Sequence, residues 1–287
     1  QVVIGVRRSG KSTLCHKALI NHKVKYAYAT FDDDRLSEMK SSDFNLLLEC
    51  IYRTYGTDVK YIFFDEIQNV DGWHLFVNRL LRSGFHMFIT GSNARLLSSE
   101  LATHLTGRYN EIRLYPFSFS EVCRFNNIPM YDMTTLAMAN LKEAFVQYLL
   151  DGGLPEMFKI KNLSNRRIYV ESLIETIIRK DITLRFHLRN NEALRLVANH
   201  LINNVGQDIN FQNLSELANF RSLSTTQKYV SYLTQAFLIN TVQKFSFKSR
   251  ERLRHSKAYV IDSGFIANRN NAYRQQLKVA YKTTFGR

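Results

Sequence analysis

The sequence contains little cysteine and little proline, and it has no long apolar run. Its 287 residues include 3 Cys and 3 Pro. The cysteines (Cys15, Cys50 and Cys123) are scattered without C-x-x-C spacing. They therefore give neither a zinc site nor a disulfide framework, and they fit a reducing cytosol. No apolar run approaches the ~20 residues needed to cross a bilayer, so we expect a cytoplasmic protein with no membrane partner.

The three prolines fall together in one part of the chain, at positions 116, 129 and 155. All three lie between the last predicted strand of the first half and the helices that follow. Because 287 residues exceed one ordinary small domain, we expect two or three domains, and the prolines mark the transition between them. At 45% hydrophobic residues the chain can bury substantial cores.

Acidic residues are scarce in the second half of the chain. Residues 1–150 hold 17 Lys and Arg against 15 Asp and Glu, a net charge of +2, whereas residues 151–287 hold 22 against 10, a net charge of +12. This asymmetry suggests a polyanionic partner for the second half. A basic surface that is merely solvated is the alternative.

A phosphate-binding loop opens the chain, in the sequence VVIGVRRSGKST of residues 2–13. It has the Walker A spacing G-x-x-x-x-G-K-[ST], between an apolar strand and a helix predicted from Lys11 to about Leu19. Glycines let backbone N–H groups wrap around phosphate oxygens, Lys11 supplies charge to the β- and γ-phosphates, and the helix N-terminus points at the same anion. The alternative is a chance match in a glycine-containing turn. The predicted nucleotide-binding residues are Gly5, Arg8, Ser9, Gly10, Lys11, Ser12 and Thr13.

Two carboxylates follow the apolar run YIFF, in the order Asp65 and Glu66, as in a Walker B motif. They are predicted to lie at the carboxyl end of a buried parallel strand, the end where open α/β sheets bind ligands. Asp65 there can join the Ser12 hydroxyl in holding Mg²⁺, while Glu66 can polarise an attacking water. The next strand ends at Asn93, whose amide can sense the γ-phosphate; an ordinary turn is the alternative.

The sequence resembles a family in four ordered segments of the first half: GVRRSGKST, FFDEIQ, ITGSNARLL and LTGRYNEIRLYPFSFSEV. The resemblance continues through YLLDGGLPEMF, SLIETIIRKDI and YVIDSGFIA. It is to the bacterial and archaeal AAA-like ATP-binding proteins whose P-loop domain precedes a winged helix and a restriction-endonuclease-like domain. The endonuclease-like portion would begin near the end of this sequence, so no nuclease residue is assigned.

The resemblance implies a fold class and a set of roles. The fold is α/β, a P-loop NTPase parallel sheet of strand order 5-1-4-3-2. ATP is the implied nucleotide, with Mg²⁺, Glu66 as the catalytic carboxylate and Asn93 as the polar sensor. Arg108, just before the fifth strand, stands where such proteins place an arginine finger aimed at a neighbour's nucleotide, which would need a homo-oligomer. Bracing of the turn by Arg108 is the alternative.

The predicted domains are a P-loop ATPase domain (1–125), a helical linker or lid (126–190), a winged helix-turn-helix (191–262) and the start of a truncated C-terminal domain (263–287). The third helix of the winged domain is predicted over 224–239, with Ser224 as its N-terminal cap and Lys228 on its outer face. The hairpin that follows it is the wing. The wing cations are Lys244, Lys248, Arg250, Arg252, Arg254 and Lys257.

Phosphates are the natural counterpart of such a hairpin, and nucleic-acid backbone is the predicted partner of Lys228, Lys248, Arg250, Arg252, Arg254 and Lys257. Charged hairpins also serve solubility, and winged helices also bind proteins. The leading hypothesis is an ATP-dependent switch that hydrolyses ATP slowly. The rival is a non-hydrolysing ATP-binding scaffold whose winged helix recruits a protein partner.

Overall fold

The computed structural model describes residues 1–36, 38–93, 109–245, 256–269, 272–276 and 279. The chain separates into two compact units. The first comprises residues 1–5 and 10–114, and the second comprises residues 6–9 and 115–287. Over the described ranges, every helix is too short or too polar to span a bilayer.

A five-stranded parallel sheet forms the centre of the first unit. Its strands are β1 (Val2–Ile4), β2 (Tyr26–Thr30), β3 (Tyr61–Asp65), β4 (His86–Gly91) and β5 (Glu111–Arg113). The order across the sheet is β2-β3-β4-β1-β5, with each neighbouring pair parallel. This is the predicted order 5-1-4-3-2 read from the other edge. The α/β class and the P-loop NTPase sheet are therefore confirmed.

Within the described part of the first unit, three helices accompany the sheet: α1 (Lys11–Asn21), α2 (Phe44–Tyr55) and α3 (Trp73–Arg82). A core cluster joins Val3 of β1 and Phe63 of β3 to Cys15 and Leu19 of α1. These two α1 residues are four apart, so they share one face of the helix. Their burial seats α1 on the sheet and brings its first turn, which begins at Lys11, to the carboxyl ends of β1 and β3.

The second unit is mainly helical. Its helices include α4 (Phe119–Phe125), α5 (Thr135–Asp151), α6 (Leu163–Thr176), a π-helix (Ile177–Leu184), α7 (Asn191–Asn203), α8 (Phe211–Leu217), α9 (Leu223–Gln235) and α10 (Gly264–Ala267). Polar side chains cap the N-termini of six of them and so determine where each helix begins. The caps are Ser118, Thr134, Asn162, Asn190, Asn210 and Ser222.

The third helix of the predicted winged domain differs from the prediction at both ends. Ser222, not Ser224, is its cap, because the Ser222 hydroxyl accepts from the Thr225 N–H at 3.3 Å. The helix ends at Gln235, because Phe237 adopts a positive φ of 56° and a strand begins at Ile239. That strand, β6 (Ile239–Gln243), pairs antiparallel with β7 (Ser256–Val260). The winged-helix assignment and the four-domain division remain predictions.

A buried aspartate joins α5 to α10 within the second unit. The Gly153 N–H donates to Asp262 Oδ2 at 2.7 Å, and the Gly264 N–H donates to Asp262 Oδ1 at 2.8 Å. A Cβ on Gly153 would lie 2.0 Å from the Phe117 carbonyl oxygen. Glycine is therefore required there by close backbone approach. Burial raises the pKa of Asp262 to about 6, although the two N–H donors oppose this shift.

Candidate functional site

The phosphate-loop sequence folds as a tight turn between β1 and α1. The Ser9 N–H donates to the Val6 carbonyl at 3.2 Å, and Arg8 and Gly10 both have positive φ, at 65° and 96°. Arg8 and Thr13 are exposed, whereas Ser9 is only 4% exposed. Over the described residues, the buried Ser9 hydroxyl finds no hydrogen-bond partner. A buried hydroxyl donor of this kind suits an anion.

Lys11 is buried at the start of α1, with 5% of its surface exposed. Its Nζ donates to the Gly5 carbonyl oxygen at 3.1 Å and lies 3.9 Å from Glu66 Oε1. The ammonium group is thus held between the loop and the end of β3. A cation in this place can meet phosphate oxygens cradled by the loop.

Ser12 and Asp65 are brought together although they are 53 positions apart. The Ser12 hydroxyl lies 2.9 Å from both Asp65 carboxylate oxygens. Thr90 Oγ1 donates to Asp65 Oδ1, and the Tyr28 hydroxyl lies 3.4 Å from Asp65 Oδ2. Burial, followed by the charge of Asp65, raises the pKa of Tyr28.

The adjacent hydroxyl and carboxylate fit a magnesium ion. Both are hard oxygen donors, and Mg²⁺ is usually held by one or two protein ligands together with substrate phosphates and water. Over the described residues, no group of three or more His, Cys, Asp and Glu could hold a metal by itself. Ser12 and Asp65 would therefore hold Mg²⁺ only in company with a phosphate-bearing ligand.

Glu66 and Asn93 follow β3 and β4, which are neighbours in the sheet. Glu66 is 8% exposed, and Asn93 is fully buried. The Glu66 backbone is left-handed, with φ 56° and ψ 37°. Its carboxylate Oε2 accepts hydrogen bonds from the Gln68 side chain and from the N–H and hydroxyl of Ser92.

The remaining predicted site residues lie elsewhere or outside the described part. Arg108, Lys248, Arg250, Arg252 and Arg254 lie outside the described residues. Lys228 on α9 and Lys257 on β7 are exposed in the second unit, as is Lys244, the residue after β6.

Four polar residues of this site were not singled out as functional from the sequence. They are Tyr28, Gln68, Thr90 and Ser92. Ser92 stands beside Asn93 at a strand end, and Gln68 stands two positions after Glu66, so their places in the motifs were a usable signal. Tyr28 and Thr90 gave no signal in the sequence, because they reach Asp65 only through the pairing of β2, β3 and β4.

Comparison with known proteins assigns both halves of the chain. Residues 1–123 match the model of an AAA domain, and residues 142–275 match a domain of unknown function (DUF8612). An uncharacterized protein of Methanocaldococcus jannaschii is 32% identical over 268 residues, which cover 91% of this chain and 60% of that protein. An uncharacterized protein of Haemophilus influenzae is 30% identical over 280 residues, which cover 92% of this chain and 67% of that protein.

The chain belongs to the same family as this Haemophilus influenzae protein. It spans about two thirds of the length of these relatives. Among solved structures, the Thermotoga maritima RuvB Holliday junction branch migration motor is similar, with a TM-score of 0.41 and 15% identity over 96% of this chain and 86% of that one.

The match of residues 1–123 to an AAA domain supports ATP binding by this chain. The domain matched by residues 142–275 has no known function. The winged helix and the restriction-endonuclease-like portion therefore remain predictions. The roles of the individual site residues likewise remain predictions.

Proposed function

We propose that this AAA-domain protein is a slow ATPase that acts as a molecular switch. In this proposal Lys11 meets the β- and γ-phosphates, and Ser12 and Asp65 hold Mg²⁺. Glu66 is the general base, Asn93 senses the γ-phosphate and Arg108 is a finger supplied by a neighbouring subunit.

The proposal depends on one observation: four motif residues meet at the carboxyl ends of the parallel strands. They are Lys11, Ser12, Asp65 and Glu66. Ser12 contacts Asp65 at 2.9 Å, and Lys11 Nζ lies 3.9 Å from Glu66 Oε1. The two contacts place a cation, a hydroxyl and two carboxylates around the first turn of α1. Phosphoryl transfer depends on positioning and charge stabilisation, and these are the groups that supply both.

The proposed reaction is attack of water on the γ-phosphorus, with ADP as leaving group. Glu66 orients that water and takes its proton. Mg²⁺, when bound, neutralises charge on the β- and γ-phosphates. Lys11 adds the protein's own positive charge there, and the loop N–H groups hold the phosphates in place. Without a finger, a lone subunit would turn over slowly, since the transition-state charge is only partly balanced.

A second proposed activity is contact with nucleic-acid backbone by the basic second half. Residues 151–287 carry a net charge of +12, and Lys228 and Lys257 are exposed there. Clustered lysine and arginine bind phosphates regardless of sequence. The competing proposal is a scaffold that binds ATP without hydrolysis and docks a protein partner.

ATP turnover and ATP affinity, measured with and without duplex DNA, test the proposal. Lys11→Ala should abolish ATP binding in calorimetric titration, because it removes the buried cation of the loop. Glu66→Gln should keep affinity within about twofold and lower turnover by about 100-fold or more, because an amide of similar shape cannot act as a base.

Two surface variants serve as matched controls. They are Lys17→Ala and Glu49→Gln. Lys17 is exposed on α1, and Glu49 is exposed on α2. Both should leave affinity and turnover unchanged. Unchanged ATP affinity in Lys11→Ala would refute the nucleotide site. Equal turnover in Glu66→Gln and parent would remove Glu66 from the mechanism, and no turnover in a parent that binds ATP would favour the scaffold.

A further inference from the structure

One oxygen of the Glu66 carboxylate is surrounded by hydrogen-bond donors. Gln68 Nε2 lies 2.5 Å from Glu66 Oε2, and the Ser92 N–H and Ser92 hydroxyl each lie 3.2 Å from the same oxygen. Ser92 is fully buried, and Glu66 is 8% exposed. Donors to a charged acceptor form stronger hydrogen bonds than neutral pairs do, so this arrangement restricts the carboxylate to one orientation.

The backbone of Glu66 is also held in an unfavourable conformation. Its φ of 56° and ψ of 37° are left-handed, which crowds the Cβ of any residue other than glycine. The Glu66 N–H donates to the Thr90 carbonyl at 3.1 Å, across from β3 to the neighbouring β4. Such a conformation persists only where its surroundings determine it, and it is concentrated at functional sites.

The second carboxylate oxygen faces a different group. Glu66 Oε1 lies 3.9 Å from Lys11 Nζ, which itself donates to the Gly5 carbonyl. Gly5 and Lys11 both belong to the phosphate loop. The two oxygens are therefore distinguished by their surroundings, with Oε2 toward Gln68 and Ser92 and Oε1 on the side of the loop.

We infer that Gln68 and Ser92 are positioning residues for Glu66. They tie Oε2 so that Oε1 is the oxygen presented to the attacking water. The inference rests on the proposed ATP hydrolysis and assigns neither residue a contact with ATP. Gln68 belongs to the short 3₁₀ turn Ile67–Asn69, so a purely structural role in that turn is the competing account.

Steady-state kinetics of Gln68→Met and Ser92→Ala test the inference. Met has nearly the length of Gln but no N–H donor, and Ala removes the hydroxyl donor of Ser92. Each variant should lose about tenfold in kcat, since a hydrogen bond to a charged group is lost, while KM and ATP affinity stay within about twofold. Gln68→Glu replaces the donor by a second carboxylate and should lose at least as much kcat.

Asn69→Ala is the matched control for damage to the turn. Asn69 lies one position from Gln68, and its Nδ2 donates to the Phe31 carbonyl at 3.0 Å. This variant should keep the parental kcat. A loss in Asn69→Ala equal to that in Gln68→Met would assign the effect to the turn and overturn the inference.

A thermal-melting cycle checks that Gln68 acts through Glu66. Parent, Gln68→Met, Glu66→Leu and the double variant are compared, and the two single shifts in melting temperature should not add, because both remove the same contact. Additive shifts would overturn the inference.

The two proposals fail in different ways. A parent that binds ATP but does not hydrolyse it refutes the proposed ATPase, and the positioning role fails with it. A parent that hydrolyses ATP while Gln68→Met and Ser92→Ala match its kcat refutes the positioning role alone.

Discussion

Asp262 should make the stability of the second unit depend on pH in a direction opposite to that of most carboxylates. Its side chain is 5% exposed, and its two oxygens accept the Gly153 and Gly264 N–H groups at 2.7 and 2.8 Å. Burial raises the pKa to about 6 from an ordinary value of 3.8. The folded state therefore binds the proton more tightly than the unfolded state does.

The expected magnitude follows from linkage. The two pKa values correspond to about 3 kcal/mol of stability, fully present below about pH 4. It is lost as the pH rises through the folded pKa, so that about 1.4 kcal/mol remains at pH 5 and almost none at pH 7. Between pH 5 and pH 7 the parent should lose about 1.3 kcal/mol that Asp262→Asn does not lose, because Asn does not titrate.

Chemical denaturation followed by far-UV circular dichroism at pH 5, 6 and 7 measures this difference. Asp262→Asn should be less stable at every pH, since its NH₂ group faces an N–H donor, so only the change with pH is diagnostic. Carboxyls of lowered pKa, such as Glu121 beside the Ser118 N–H, affect parent and variant alike and cancel. Asp71→Asn, an exposed site, should follow the parent. Parallel curves for the parent and Asp262→Asn would refute the reasoning.

Two further predictions concern residues outside the described ranges. Mixing Arg108→Ala with Glu66→Gln subunits should restore ATP turnover that neither has alone, because a mixed interface pairs an intact Glu66 with an intact Arg108; no rescue in a sample shown to assemble would favour the bracing role. Replacing three wing arginines by Ala should weaken duplex binding regardless of sequence and flatten the slope of log K against log salt by roughly two to three, at close to one per phosphate contact, with ATP binding unchanged. A parent that fails to bind duplex at ~150 mM salt would end the nucleic-acid proposal. The three wing arginines to be replaced are Arg250, Arg252 and Arg254.

Helix ends show where sequence patterns reach their limit. Ser222 and Ser224 are both good capping residues, and they flank the start of the same helix. Only the backbone conformation decides between them: Ser222 is extended, with φ −149° and ψ 146°, and its hydroxyl reaches the Thr225 N–H. At the other end, apolar residues continue past Gln235, so periodicity alone extends the helix too far. The left-handed backbone at Phe237 ends the helix although the apolar residues continue to Ile239.

Features that depend on residues close together in the chain can be predicted from local patterns. The phosphate loop, the strand before it and the helix after it occupy one continuous stretch. The spacing of that motif alone predicts Lys11 as a phosphate-binding residue and Ser12 as a Mg²⁺ ligand. The same holds for Asp65 and Glu66 after the apolar run of β3. Resemblance to a family added the order of the strands, which no local pattern contains.

Contacts between residues that are far apart in the chain depend on how the strands and helices pack. Ser12 and Asp65 are 53 positions apart, and Gly153 and Asp262 are 109 apart. Their contacts depend on strand pairing and helix packing, which local propensity does not specify. The orientation of Glu66 has the same origin. Its left-handed backbone and its hydrogen bonds to Ser92 exist because β3 and β4 are neighbours. Glu66 and Ser92 are both buried, and the low dielectric of a buried site strengthens each such bond.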